Sequence, residues 1–256
     1  MKVFRHGPRT KPALTATRTR VFLVDDHPLL RQGIAESLGD EADLLVCGQA
    51  GSAEEALPAI ASAKPEIVIV DISLPGRDGI ELTKDITHRY HDVLVLVFSM
   101  HDESLYAERA LQAGAAGYVM KSASSDTLIQ AIRKVLTGEI VVGQRLVQQL
   151  LAREATDPLA SPPSLLERLS DRELEVFNLL GNGRLRREIA QQLRLSVKTI
   201  ESHQSHMREK LELSTNNQLR QLAAETFCAE AAELPKEAPH TQRFASAGGG
   251  ARHQST

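Results

Sequence analysis

Between Arg20 and about Gly138 the chain repeats one pattern five times: a short apolar run, then a longer stretch whose apolar residues recur at helical period. The runs are Val21 to Val24, Leu44 to Cys47, Ile67 to Val70, Val93 to Phe98 and Gly117 to Met120. The helical stretches are Leu29 to Leu38, Ala53 to Ala63, Ile80 to Tyr90, Ser104 to Ala113 and Asp126 to Leu136. Strict alternation of this kind predicts a parallel sheet with helices on both faces. A strand covered on both faces has no water side, so it reads as continuously apolar. The expected fold of residues 20–138 is therefore an α/β domain with a doubly wound five-stranded parallel sheet.

Ligands of open parallel sheets bind just beyond the carboxyl ends of the strands, so the polar residues there carry the information. The first run ends in Asp25 and Asp26, the third in Asp71, the fourth in Ser99 and the fifth in Lys121. Singly, each has a plainer use: Asp26 can cap the helix that Pro28 opens, Asp71 can cap a turn, and Lys121 can be a solvated lysine. Jointly they bring three carboxylates, a hydroxyl and an ammonium to one rim. Close carboxylates repel and raise one another's pKa. A hard divalent cation resolves the conflict, and Mg²⁺, with its oxygen-only octahedral shell, suits carboxylates plus waters and a phosphoryl group. One aspartate can then act as a nucleophile toward phosphorus, with Ser99 and Lys121 binding phosphoryl oxygens.

The rest of the chain reads differently. Residues 1–19 form a basic, acid-free tail expected to be disordered. Residues 139–165 read as a linker, with a helix from about Gln144 and then Pro158, Pro162 and Pro163 among serines. Residues 166–228 contain no strand-like run and imply four short helices, and residues 229–256 read as a second disordered tail. Ser170-x-x-Glu173 fits a capping box. Ser196 can cap a helix reaching about Leu211, and Thr215 or Asn216 another ending near Glu225. A tight "LRLS" connection between the second and third helices outlines a helix-turn-helix.

The third of these helices spaces Val197, Ile200, Met207 and Leu211 as a core stripe and carries Lys198, Glu201, Ser202, Ser205 and Arg208 on its other side. A polar stripe is usually a solvated face; in a helix-turn-helix it can enter the major groove. Ten Lys/Arg against nine Asp/Glu over residues 166–228 is weak support for nucleic acid binding. Arg184, Arg186 and Arg187 do cluster where phosphate contacts are expected. No apolar run approaches the length of a membrane-spanning helix, and Cys47 and Cys228 form no disulfide or zinc pattern, which makes a cytoplasmic location the expectation.

Residues 20–138 resemble a two-component receiver domain of the CheY-like fold, with the acidic pair after strand one, "DISLPGRDG" after strand three, Ser99 and Lys121. "LSDRELEVFNLLGNG" followed by "REIAQQLRLSVKTIESHQSHMREKL" resembles the LuxR/FixJ-type helix-turn-helix. Together they make the chain similar to NarL/FixJ-family response regulators. The resemblance implies strand order 2-1-3-4-5, Asp71 as phosphoacceptor, and Mg²⁺ held by Asp25, Asp26, Asp71 and the backbone carbonyl of Ser73. Ser99 and Tyr118 would be a switch pair. Glu201, Ser202 and Ser205 would face bases, and Lys198, Thr199 and Lys210 would lie near the DNA backbone. Two features depart from the family. Ser122 follows Lys121 where many receivers have proline, which leaves the geometry of that peptide open. Leu185, Arg186 and Arg187 replace the usual polar cap of the second helix, at about 1 kcal/mol of local stability.

The resemblance implies a transcription factor switched by phosphorylation on Asp71, with a sensor histidine kinase, double-stranded DNA and RNA polymerase as partners and no membrane. It would pair as a homodimer when phosphorylated, with Leu219 and Leu222 as candidates for either the dimer face or the core. Its only catalysis would be its own phosphoryl transfer and dephosphorylation. Two alternatives remain open: a Mg²⁺-dependent phosphohydrolase with Asp71 as nucleophile, or a DNA-binding protein whose receiver only docks or dimerises. Against the first, the second aspartate that such hydrolases carry two residues after the nucleophile is here Ser73.

Overall fold

A computed structural model describes residues 18–144, 146–148 and 165–232, with side chains through Thr226. The first unit alternates β1 (Thr19–Val24), α1 (Pro28–Gly39), β2 (Leu44–Ala50), α2 (Ala53–Ala63), β3 (Ile67–Val70), α3 (Gly79–Arg89), β4 (Leu94–Ser99), α4 (Glu103–Gln112), β5 (Gly117–Met120) and α5 (Ser125–Leu136). The strands form one parallel sheet in the order β2-β1-β3-β4-β5. Every residue of β3 is buried, and apolar clusters lie on both faces, one around Val21, Leu23 and Ile132, the other around Phe22, Val24 and Ile86. This two-sided cover is what the unbroken aliphatic runs anticipate.

Strand β2 runs three residues past the end of its apolar run. Its register with β1 slips between Val21 and Phe22, so that Phe22 pairs with Gly48 rather than Cys47. A side chain on residue 48 would meet the Phe22 ring at 2.4 Å, so the glycine lets the ring lie over the strand and the pairing continue to Ala50.

The second unit opens with a 3-10 turn at Leu165–Arg168, then α6 (Asp171–Gly181), α7 (Arg186–Gln192), α8 (Val197–Lys210) and α9 (Asn216–Ala232). Ser170 and Glu173 complete the expected capping box of α6. The Ser196 hydroxyl accepts from Thr199 N at 3.0 Å to cap α8, and Thr215 caps α9 by accepting from Gln218 N. Helix α9 continues to Ala232, beyond the expected end near Glu225. At α7, Leu185 offers no side-chain cap, but the Glu188 carboxylate accepts from Leu185 N at 2.8 Å, supplying the reciprocal half of a capping box. The missing polar cap is thus partly replaced.

Of the linker helix expected from Gln144, residues 144 and 146–148 are helical; the expected tails and the proline-rich stretch lie outside the described residues, apart from residues 18–19 and 229–232. Before that helix, Val141 runs beside β5: Tyr118 N donates to Val141 O at 2.7 Å, and Val141 N to Ala116 O at 3.1 Å.

The units touch. Arg109 on α4 donates to the carbonyls of Leu166 and Leu169 and pairs with Asp171, which also holds Lys84 of α3 at 3.1 Å. Helix α6 is consequently covered all round, and each residue from Arg172 to Phe177 is buried.

Candidate functional site

Backbone hydrogen bonds carry the sheet ladder past the strand ends and fix the rim. Asp25 N donates to Ala50 O, Asp71 N to Val24 O and Lys121 N to Ser99 O. Three side chains from β1, β3 and β5 are thereby turned toward one point. Lys121 Nζ lies 2.7 Å from Asp25 Oδ2 and 2.6 Å from Asp71 Oδ2, with all three side chains almost wholly buried. Asp26 stands beside them, half-buried, and Ser99 is fully buried at the end of β4. The expected rim therefore assembles, and the Lys121–Ser122 peptide is trans.

The charges do not balance. One ammonium faces Asp25, Asp26 and Asp71. Burial raises the Asp71 pKa, and Asp25 adds to the rise against the pull of Lys121. Burial works against the Lys121 ammonium, but Asp71 and Asp25 together outweigh it and hold its pKa above the ordinary lysine value. Burial is thus the main cause at Asp71, while the neighbouring carboxylates are the cause at Lys121.

Oxygen atoms of Asp25, Asp26 and Asp71 lie with a ring nitrogen of His27 within 4.8 Å of one another, a set that could hold a metal ion. Asp71 Oδ1 and Asp26 Oδ1 are buried and accept no hydrogen bond, although His27 Nδ1 approaches the latter to 2.8 Å. Orphaned carboxylate oxygens in an acidic rim fit a hard cation, which prefers oxygen ligands.

Tyr118 points inward. Its hydroxyl donates to His101 O at 2.8 Å, and burial raises its pKa far above the ordinary tyrosine value. Ser99 Oγ accepts from His101 N at 3.3 Å, so the expected switch pair is joined through His101. The His101 ring stacks on Tyr106 and reaches Ser73 Oγ at 2.7 Å. Ser73 in turn donates to Glu175 Oε1 of α6 at 2.8 Å. Burial alone would raise the Glu175 pKa, but His101, Arg172 and Ser73 hold it below the usual carboxylate value.

His101, Glu175 and His27 received no role in the sequence reading. The two histidines adjoin residues that did, in "DDHP" and "SMHD". Nothing local marks Glu175, since the contact that buries it comes from another unit.

On α8, Lys198, Glu201, Ser202 and Ser205 are exposed along one side, as a groove-reading face requires. Thr199 is half-buried against the Ser196 cap. Lys210 binds Glu173 at 2.6 Å and half-buried Arg208 leans on Ser205, so both also serve the fold. Arg186 pairs with Glu201 at 3.2 Å and Arg187 is exposed. One apolar expectation needs correction, and one open alternative is decided. Val197 is 39% exposed; the core stripe is Ile200, Met207 and Leu211, with buried Gln204 filling the gap between the first two. Leu219 is fully buried and Leu222 packs against the same core, which removes Leu219 from any free dimer face.

Comparison with known proteins agrees with this geometry. Residues 21–133 match the response regulator receiver domain, and residues 167–223 match bacterial regulatory proteins of the luxR family. The chain is 38% identical over 205 residues to the transcriptional activator protein ExaE of Pseudomonas putida, covering 80% of this chain and 95% of that one. It is 34% identical to the response regulator UvrY of Escherichia coli, covering 79% and 92%. Among solved structures, RcsB from Salmonella enterica serovar Typhimurium bound to promoter rprA in the presence of the phosphomimetic BeF3⁻ superposes with a TM-score of 0.55 at 26% identity, covering 81% of this chain and 99% of that one. An acidic rim on a five-stranded parallel sheet, joined to a four-helix unit with an exposed polar helix face, places the chain among the response regulators that couple a receiver domain to a LuxR-type DNA-binding domain and act in transcription regulation.

Proposed function

We propose that phosphorylation of Asp71 by a partner sensor histidine kinase switches this regulator between two states of DNA binding. The observation that carries the reading is the asymmetry of the Asp71 carboxylate: Oδ2 is held by Lys121, while Oδ1 has no hydrogen-bond partner. That oxygen attacks phosphorus, the bond from phosphorus to the kinase's histidine nitrogen breaks, and an acyl phosphate forms. Lys121 stays charged and pairs with a phosphoryl oxygen as Asp71 loses its own charge, and the Ser99 hydroxyl donates to another. Asp25, Asp26, Asp71 and the Ser73 carbonyl would hold Mg²⁺, which when bound supplies positive charge against the phosphoryl oxygens. Water later cleaves the acyl phosphate, and the chain's catalysis is confined to these two steps on itself.

The readout is transcriptional. Lys198, Glu201, Ser202 and Ser205 meet double-stranded DNA, and a phosphorylated homodimer matches a two-fold operator and acts on RNA polymerase. Support for the DNA arm comes from the exposed α8 face and from RcsB, solved on a promoter. Among the described residues no helix is long and apolar enough to cross a membrane, which accords with a cytoplasmic site of action.

Acetyl phosphate with Mg²⁺ should add one acid-labile phosphate by intact-mass spectrometry, and Asp71→Asn should abolish it. Equal phosphorylation of the variant would refute the assignment. Selection of DNA from a random pool, with and without phosphodonor, tests the coupling to DNA.

A further inference from the structure

We propose that the DNA-binding domain is itself a ligand of the receiver's acidic rim, engaging it through Arg194 and Glu175, so that domain docking and divalent-cation binding compete for the same groups. The inference rests on the reading of Asp25, Asp26 and Asp71 as a cation site.

Two contacts cross from the helical unit to the rim. Arg194, in the turn between α7 and α8, brings Nη2 within 3.8 Å of Asp26 Oδ2. It does so from a left-handed backbone, φ +52°, which L residues rarely adopt. Glu175, 1% exposed, accepts from Ser73 Oγ and lies 3.7 Å from His101 Nε2. Ser73 is the residue whose carbonyl would join the cation shell, and His101 carries the backbone groups that bind Ser99 and Tyr118. The helical unit thus touches the rim at a carboxylate and at the loop that follows the phosphoacceptor.

The two contacts are tied together through one arginine. Arg172 pairs with Glu175 through Nη1 and donates through Nη2 to Leu193 O at 3.1 Å. Leu193 immediately precedes Arg194, so a movement of α6 away from Ser73 also draws the guanidinium away from Asp26.

Charge gives the sign. With three carboxylates against Lys121, the rim attracts a further cation, and Arg194 supplies part of that charge from the second domain. A divalent ion beside Asp26 would repel the guanidinium and remove the reason for its approach. By linkage, if docking weakens cation binding by some factor, the cation weakens docking by the same factor. The exposed side chains of Lys198, Glu201, Ser202 and Ser205 are not covered by these contacts. What docking meets is the receiver's rim, so its effect is felt in receiver chemistry.

The test is Mg²⁺ affinity of the full chain by titration calorimetry, comparing wild type with Arg194→Asn. Asparagine tolerates the left-handed backbone, and Arg194→Gly, which has no Cβ to strain, is the second variant. The expected result is tighter Mg²⁺ binding in both variants by about two- to fivefold, the range open to a partly exposed ion pair, with the gap narrowing at high salt. Arg194→Lys should stay nearer wild type. Mg²⁺ should also increase the radius of gyration of wild type in solution scattering. Equal affinities in wild type, Arg194→Asn and Arg194→Gly would overturn the competition while leaving the cation site standing. Absence of Mg²⁺ binding in all of them would overturn the site and the inference with it.

Discussion

Gly79 offers a sharp test of how Asp71, the proposed phosphoacceptor, is held. It is the first residue of α3, and its amide donates to Ile72 O at 2.8 Å. A Cβ at this position would lie 1.9 Å from Asp71 O, 2.7 Å from Asp71 C and 2.8 Å from Ile72 Cα. Ordinary contacts of carbon begin near about 3.5 Å, so Gly79→Ala forces the helix and the Asp71 backbone apart by about 1.5 Å. All three neighbours are backbone, and no rotamer change relieves the clash. Asp71 N is pinned to Val24 O, and the side chain must meet Lys121 at 2.6 Å. A displacement of about 1 Å at a reacting group costs on the order of 10²-fold in rate, and overpacking costs about 1–3 kcal/mol of stability. Gly79→Ala should therefore remain folded with a lowered urea midpoint and take up phosphate from acetyl phosphate about 10²-fold more slowly. Gly33→Ala in α1, where nothing lies within 4 Å of the new Cβ, is the matched control. Phosphorylation of Gly79→Ala at the wild-type rate, with an unshifted midpoint, would refute the argument that this glycine seats Asp71.

Two further expectations follow from the same geometry. Asp78, the N-cap of α3, has its pKa pushed up to about 6 by burial, with Asp171, Glu81 and Glu175 adding to the rise. The folded state thus binds this proton more tightly than the unfolded one, and stability falls as pH climbs from about 4 to about 6, by about 3 kcal/mol for a shift of this size. Asp78→Asn keeps an oxygen for Glu81 N and should remove that slope, making the variant more stable than wild type in urea at pH 7.5; an unchanged pH profile would contradict it. Lys198→Ala should weaken binding to specific and random duplexes alike and reduce the salt dependence by about one unit. A loss confined to one sequence would instead make Lys198 a base reader.

The rim was legible because its logic is local to strand ends: continuous apolar runs identify buried parallel strands, and the next residue faces the ligand. Asp25, Asp71, Ser99 and Lys121 all follow from that rule. The β2 extension was hidden because Gly48 and Gln49 break the apolar run, and only the Phe22 ring lying over Gly48 explains the continued pairing. Val197 fitted the helical spacing of its core stripe yet sits in the first turn of α8 beyond the reach of the core, while Gln204, polar and therefore passed over, is buried. Glu175 was invisible for a different reason. An acid beside Leu174 and Val176 on an amphipathic helix reads as solvent-facing unless a second domain covers that side, and periodicity within one helix carries no information about a partner surface.

The backbone pairing of Val141 with β5 bears on how the receiver can be isolated. A sheet edge with unpaired amides is a template for a strand from another molecule. Here the segment after α5 occupies that edge, taking the Tyr118 amide and the Ala116 carbonyl. A fragment ending at Gly138 would expose both groups beside the aromatic residue proposed to switch, and would invite strand addition and aggregation. One carried through Gly143 keeps the edge closed, so the boundary of a well-behaved receiver lies past the last helix of its fold.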